Sequence, residues 1–133
     1  MPVHDAIPFF RYADAPAAVA FLKAAFGFEE ILVVPDGQGG LATAQLRLGD
    51  GLVMLASLRD ADPLGWEAPK QPRQGYQGVY WVVDDPDAHH ARALAAGADV
   101  LMPPTTQDYG GRDYTVRDPE GHLWSFGTYR PEA

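Results

Sequence analysis

Four histidines, His4, His89, His90 and His122, are the side chains of this 133-residue chain best suited to move protons or bind a metal near neutral pH. Their spacing favours neither task. His89 and His90 are adjacent, beside Asp85 and Asp87, in a stretch with helical periodicity. Neighbours on a helix point about 100° apart, so the two imidazoles do not share one metal, and a solvated helix face is the expectation. His122 follows a turn glycine, and His4 stands in a terminus expected to fray. Cysteine is absent, which removes thiolate metal sites and disulfides and leaves the redox compartment unread. No Ser/His/Asp, Cys/His or phosphate-loop pattern occurs. Gly37, Gly39 and Gly40 lie between two strand-like runs rather than ahead of a helix, which argues against a nucleotide loop.

Composition narrows the partners. The chain is 47% hydrophobic and 21% charged, as in an ordinary soluble domain. Its 10 basic and 18 acidic residues give a net charge of −8, which argues against nucleic acid or an anionic membrane. That charge suits either simple solubility or attraction of a cationic small molecule. No apolar run approaches the roughly 20 residues of a membrane span. Residues 1–14 lack a signal-peptide core, being broken by His4, Asp5, Pro8 and Arg11, so the cytoplasm is the expected compartment.

The elements that must position any site appear twice. Residues 6–12 read as a strand whose proline implies an edge or strand start. Asp14 caps a helix with Pro16 in its first turn, and Gly27 stops it. Strands follow at 28–34, 41–48 and 52–58, the last two joined by Gly49-Asp50-Gly51. Residues 60–75 hold Pro63, Pro69 and Pro72 around Trp66, the signature of an extended linker. The order then returns: a strand at 77–83, a helix from Asp84-Asp85-Pro86 to Gly97, and a short strand at 100–102 before Pro103-Pro104. A strand at 111–117, the turn Asp118-Pro119-Glu120-Gly121 and a final aromatic strand complete it. An offset of 70 positions carries Asp14 onto Asp84, Gly27 onto Gly97, Arg47 onto Arg117 and Gly51 onto Gly121. We read a βαβββ repeat, with module one at 5–59, a linker at 60–75 and module two at 76–130. Each module is a four-stranded sheet with a helix on one face. The uncovered faces are expected to curl toward one another around a cleft.

The runs Ala13-Asp14-Ala15-Pro16-Ala17-Ala18-Val19-Ala20-Phe21, Val82-Val83-Asp84-Asp85-Pro86 and Asp118-Pro119-Glu120-Gly121-His122-Leu123-Trp124-Ser125, together with the repeat, resemble the vicinal oxygen chelate superfamily. That group includes glyoxalase I, extradiol dioxygenases, fosfomycin-resistance enzymes and bleomycin-resistance proteins. The resemblance covers nearly the whole chain and implies an α+β fold, two βαβββ modules pairing into an eight-stranded half-barrel around a cleft. It also implies a homodimer, in some members formed by exchanging modules. Metal-dependent members carry His on the first strand, His or Gln on the fifth, and Glu near the ends of the fourth and eighth. Aligned here, those positions fall on Ile7 or Pro8, on Gly78 or Gln77, near Leu55 or Ala56, and on Ser125. Gln77 alone could ligate, so no metal, no cofactor and no catalytic residue is expected.

With Ser125 facing inward, alternation puts Leu123 and Gly127 beside it and Trp124 and Phe126 under the helix. The same logic turns Phe9 and Arg11, and Tyr80, toward the cleft. On the seventh strand Arg112 and Tyr114 are expected inward, with Asp113 and Thr115 pointing away. The expected ligand-binding set is therefore Phe9, Arg11, Tyr80, Arg112, Tyr114 and Ser125, with Trp66 and Tyr109 closing from loops. Such a lining suits a flat or amphipathic ligand, cationic or aromatic, as in drug sequestration. Two alternatives remain at this level. One is a lyase or isomerase of the glyoxalase type with displaced ligands, or one using Arg112 and Tyr114 to stabilise charge. In the other, the arginines pair with surplus carboxylates and only close the barrel.

Overall fold

The computed structural model describes residues 6–60, 65 and 77–131. Trp66, His4 and nearly all of the 60–75 linker lie outside the described residues. The chain forms two compact units.

In the first, strand β1 (Phe9–Tyr12) is followed by helix α1 (Ala15–Phe21), a π-helical turn (Leu22–Phe26), and strands β2 (Glu29–Pro35), β3 (Leu41–Leu48) and β4 (Gly51–Ser57). The sheet order is β1-β4-β3-β2, with β1 parallel to β4 and the other pairs antiparallel. β1 is an edge, and Pro8 stands just before it, where no ladder N–H is lost. The Asp14 carboxylate accepts from the Ala17 amide at 3.0 Å, and Gly27 ends the helix with φ +86°, a left-handed conformation that glycine adopts without penalty. α1 lies on β1, β3 and β4. Buried Ala44, Leu46, Val53 and Leu55 mark the sheet face it covers.

The second unit contains β5 (Gly78–Val82), α2 (Pro86–Ala95), β6 (Asp99–Thr106), β7 (Arg112–Arg117) and β8 (Leu123–Gly127). Its order, β5-β8-β7-β6 with β5 parallel to β8, repeats the first. The fold class is thus α+β, built of two βαβββ modules. The last helical residues before Gly27, Ala24–Phe26, belong to this second unit. Its core holds Phe26, Trp81, Ala93, Tyr114, Val116, Trp124 and Phe126.

Three expectations need correction. β6 does not stop at Met102 but runs through Pro103 and Pro104 to Thr106. It is an edge strand, and its pairing register slips between Met102 and Thr105, so the prolines sit where the ladder requires no donor. The offset of 70 sets the cap Asp14 against Asp84, whereas the second helix is capped by Asp85, whose carboxylate accepts from the Ala88 amide at 3.0 Å. The repeat offset, moreover, is not uniform. The caps Asp14 and Asp85 stand 71 positions apart, Ala44 and Tyr114 stand 70 apart, and Leu55 and Phe126 again 71. The π-helical turn holds one residue more than the end of α2, and the β7–β8 turn is one residue longer than the β3–β4 turn. Both insertions fall where they disturb no sheet pairing. Asp85→Ala should cost about 1 kcal/mol, while Asp84→Ala should stay within about 0.5 kcal/mol. Urea unfolding of the two variants checks this.

Candidate functional site

In a sheet with one helix-covered face, function falls to the other face, and strand register decides which residues reach it. In module two the covered face is fixed by buried Trp124, Phe126, Tyr114 and Val116. Tyr114 stacks on Phe126 with ring centroids 5.6 Å apart, and Phe26 packs on Trp124 and Phe126 at 5.5 and 4.8 Å. Trp124 and Phe126 are therefore core, as alternation predicts.

Tyr114 and Arg112 stand on that same covered face, contrary to expectation. The Tyr114 hydroxyl lies 2.5 Å from His89 Nδ1 on α2, and burial pushes its pKa up. Arg112 makes a bidentate pair with Asp87 of α2, Nε to Oδ2 and Nη2 to Oδ1, both at 2.9 Å. Each partner favours the charged form of the other, lowering the Asp87 pKa and raising that of Arg112. The physical reason is register: Ser125 pairs directly with Thr115, so Thr115 shares its face and Tyr114 cannot. His89 also departs from a solvated helix face. Its ring nitrogens lie between the Tyr114 hydroxyl and the Phe26 carbonyl, the latter at 2.8 Å.

The open face of module two carries a row across all four strands: Tyr80, Ser125, Thr115 and Met102. The Ser125 and Thr115 hydroxyls share a hydrogen bond of 2.8 Å. One step along, Asp113 pairs with Gly127, and its carboxylate accepts from Gln107 Nε2 at 2.8 Å and the Tyr109 hydroxyl at 3.2 Å. The Tyr80 hydroxyl donates to the Tyr129 carbonyl at 2.6 Å. Desolvation first, and then the Asp113 charge, raise the Tyr80 pKa; the Tyr109 pKa is raised for the same two reasons. The structure thus brings Tyr80, Tyr109 and Ser125 of the expected set together. Asp113, Thr115 and Gln107 are additions that the sequence reading missed.

Module one presents the equivalent row on its own open face: Phe9, Met54, Gln45 and Leu32. Phe9 is 49% exposed and Leu32 44%, so the two ends of this row are accessible apolar side chains. Arg11 pairs with Ala56 one step along, and its Nη1 donates to the Ser57 carbonyl at 3.3 Å. Ser125 and Met54 occupy matching places in the two modules. The fourth-strand counterpart is therefore Met54, not Leu55, which is buried on the helix side, nor Ala56. The places where metal-dependent members carry His and Glu thus hold Ile7, Met54, Gly78 and Ser125, whose one hydroxyl is already bonded to Thr115. This donor set does not fit a divalent metal, which calls for several oxygen or nitrogen ligands. No group of three His, Cys, Asp or Glu among the described residues is placed to hold one either. No helix among them is long and apolar enough to cross a membrane.

Two consecutive βαβββ modules with one strand order define the class of protein. The chain belongs to the Glyoxalase/Bleomycin resistance protein/Dioxygenase superfamily, which residues 7–126 match. An uncharacterised protein of Mycobacterium bovis is 36% identical over 118 residues, 86% of this chain and 76% of its own. The anthracycline biosynthesis protein DauV of Streptomyces sp. strain C5 is 30% identical over 114 residues, 81% of this chain but only 40% of its own length. Among solved structures, TioX of Micromonospora sp. ML1 superposes with a TM-score of 0.72 at 31% identity, covering 98% of this chain and 99% of its own. The fosfomycin resistance protein FosX of Mesorhizobium loti reaches 0.66 at 19% identity over 98% and 95%, a likeness of fold alone.

Proposed function

We propose that this protein is a metal-free small-molecule binder that holds an aromatic or amphipathic drug or metabolite against the open face of module two. The observation that carries the reading is the row Tyr80–Ser125–Thr115–Met102, in which a hydroxyl pair stands where metal-dependent relatives place a carboxylate. Tyr80 and Met102 supply polarisable apolar surface, and Ser125 and Thr115 supply donors and acceptors that orient a ligand. Phe9 and Arg11 offer a comparable aromatic and cationic pair on module one. The relation to an anthracycline biosynthesis protein supports a polycyclic or drug-like ligand. A homodimer working in the cytoplasm belongs to the same proposal.

Calorimetric titration with a panel of basic, neutral and acidic aromatic compounds tests it, alongside elemental analysis after dialysis. Saturable binding by the metal-free protein is the expected result. A stoichiometric transition metal surviving dialysis would overturn it and favour the glyoxalase-type enzyme instead. That alternative cannot draw on Tyr114 and Arg112 from the open face, since both are engaged with α2. Light scattering at micromolar concentration checks the dimer.

A further inference from the structure

At the end of the module-two open face the Asp113 carboxylate accepts from the Tyr109 hydroxyl, and Tyr129 and Tyr80 adjoin that pair. Asp113 takes its two hydrogen bonds from neutral donors, Gln107 and Tyr109, and no Lys or Arg among the described residues forms an ion pair with it. Its negative charge is therefore hydrogen-bonded but not neutralised. Tyr109 and Tyr129 meet edge to face with centroids 5.3 Å apart, and the Tyr80 hydroxyl bonds the Tyr129 carbonyl. All three rings stay open to solvent, with exposures of 39% for Tyr80, 60% for Tyr109 and 45% for Tyr129. Two glycines permit this gathering. A methyl group on Gly127 would stand 2.6 Å from Asp113 Cβ and 2.9 Å from the Tyr80 hydroxyl, and one on Gly111 would stand 2.9 Å from Tyr129 Cβ. Any other residue at either place would push the cluster apart.

We infer that this cluster is a subsite for an organic ammonium group, with Asp113 as counter-charge and Tyr80, Tyr109 and Tyr129 as its aromatic walls. The inference rests on the proposed binding function and specifies the ligand class: an aromatic body lying along the Tyr80–Ser125 row with a basic amine at its Asp113 end. An ammonium ion gains from both parts of the cluster, since a carboxylate attracts it directly and phenol rings present their negative faces. An anionic ligand meets repulsion from the same groups. The chain's net charge of −8 acts in the same direction at longer range.

The test is a titration of the full chain with benzyltrimethylammonium, benzyl alcohol and phenylacetate, followed by amide NMR shifts at Gly111, Gly127 and Tyr129. The cation should move these amides and bind about tenfold tighter than the alcohol, and phenylacetate should leave them still. Asp113→Asn, which keeps the shape of the side chain, should bring the cation down to the affinity of the alcohol. Tyr109→Leu, on an exposed loop residue that does not threaten folding, should weaken the cation several-fold. Equal binding of cation and alcohol, or an Asp113→Asn protein that binds the cation unchanged, would sink the ammonium subsite and leave aromatic binding intact. Shifts from none of the three compounds would count against both readings.

Discussion

Asp118→Ala is expected to remove about 3–5 kcal/mol of stability, a large part of the roughly 5–15 kcal/mol that a folded domain possesses. The reason is the number of donors that one buried carboxylate satisfies. Asp118 is 4% exposed. Its Oδ1 accepts from the amides of Glu120 at 3.1 Å and His122 at 3.0 Å, and its Oδ2 from the Trp124 indole at 3.1 Å. The backbone closes the same turn, Asp118 N–H donating to the His122 carbonyl and Gly121 N–H to the Asp118 carbonyl. Gly121 makes this possible with φ +93°. The alanine variant leaves two amides and a fully buried indole N–H without their acceptor, each worth about 1–3 kcal/mol. Asp118→Asn should cost roughly half as much, because its carbonyl oxygen still serves the two amides while its NH2 faces another donor. Urea unfolding with an unchanged m-value decides it. A loss below about 1 kcal/mol for the alanine variant would show that the turn holds without its side chain. Through Trp124 the same carboxylate ties the β7–β8 turn to the core, so the variant is also expected to disturb Ser125, one residue away.

The repeated punctuation makes the architecture legible in the sequence. Asp14 and Gly27, Gly97 and the Asp118–Gly121 turn announce helix ends and hairpins through residues whose backbone or capping preferences are strong. Two kinds of information stayed out of reach. Single-residue insertions, one in the π-helical turn and one in the β7–β8 turn, leave no compositional trace, so a constant offset looks adequate and places the fourth-strand counterpart of Ser125 one position or more away from Met54. Facing was readable in part. Alternation within β8 correctly buried Trp124 and Phe126, but β7 was oriented independently of it. In an antiparallel pair the numbers of facing residues have a constant sum, so placing Ser125 on the open face puts Thr115 and Asp113 there as well. Applying that constraint across the hairpin would have exchanged Arg112 and Tyr114 for Asp113 and Thr115. The role of His89 had no local signal, since its partners Phe26 and Tyr114 lie 63 and 25 positions away.

His89→Ala is the second substitution expected to have a large effect, about 3–4 kcal/mol, and it carries a pH signature. The Phe26 carbonyl can only accept, so Nε2 holds the proton and Nδ1 accepts from the Tyr114 hydroxyl. The ring also lies 4.2 Å from the Phe126 centroid. Truncation leaves a cavity beside Phe126 and strands the hydroxyl of a fully buried tyrosine. This arrangement holds only the neutral imidazole. Burial lowers the His89 pKa, the nearby Arg92 charge lowers it further, and the Phe26 bond offsets part of this. Arg92 is fixed there by its own bond to the Ala24 carbonyl at 2.9 Å, while His90 meets the Tyr114 ring and Asp87 is paired to Arg112. No free carboxylate among these contacts rescues an imidazolium. The unfolded chain therefore binds the proton more readily than the folded one, and stability rises with pH across the interval between the two pKa values. His89 costs nothing well above its unfolded value of about 6.5 and becomes a growing penalty as pH falls through that value toward the lower folded one. Urea unfolding at a series of pH values should show this slope in the native protein and lose it in His89→Leu, which fills the space without a titrating group. In a His89→Leu/Tyr114→Phe double variant, removal of the stranded hydroxyl should recover part of the stability lost in His89→Leu. An unchanged pH slope in His89→Leu would assign the acid sensitivity to other groups and leave His89 a packing residue only.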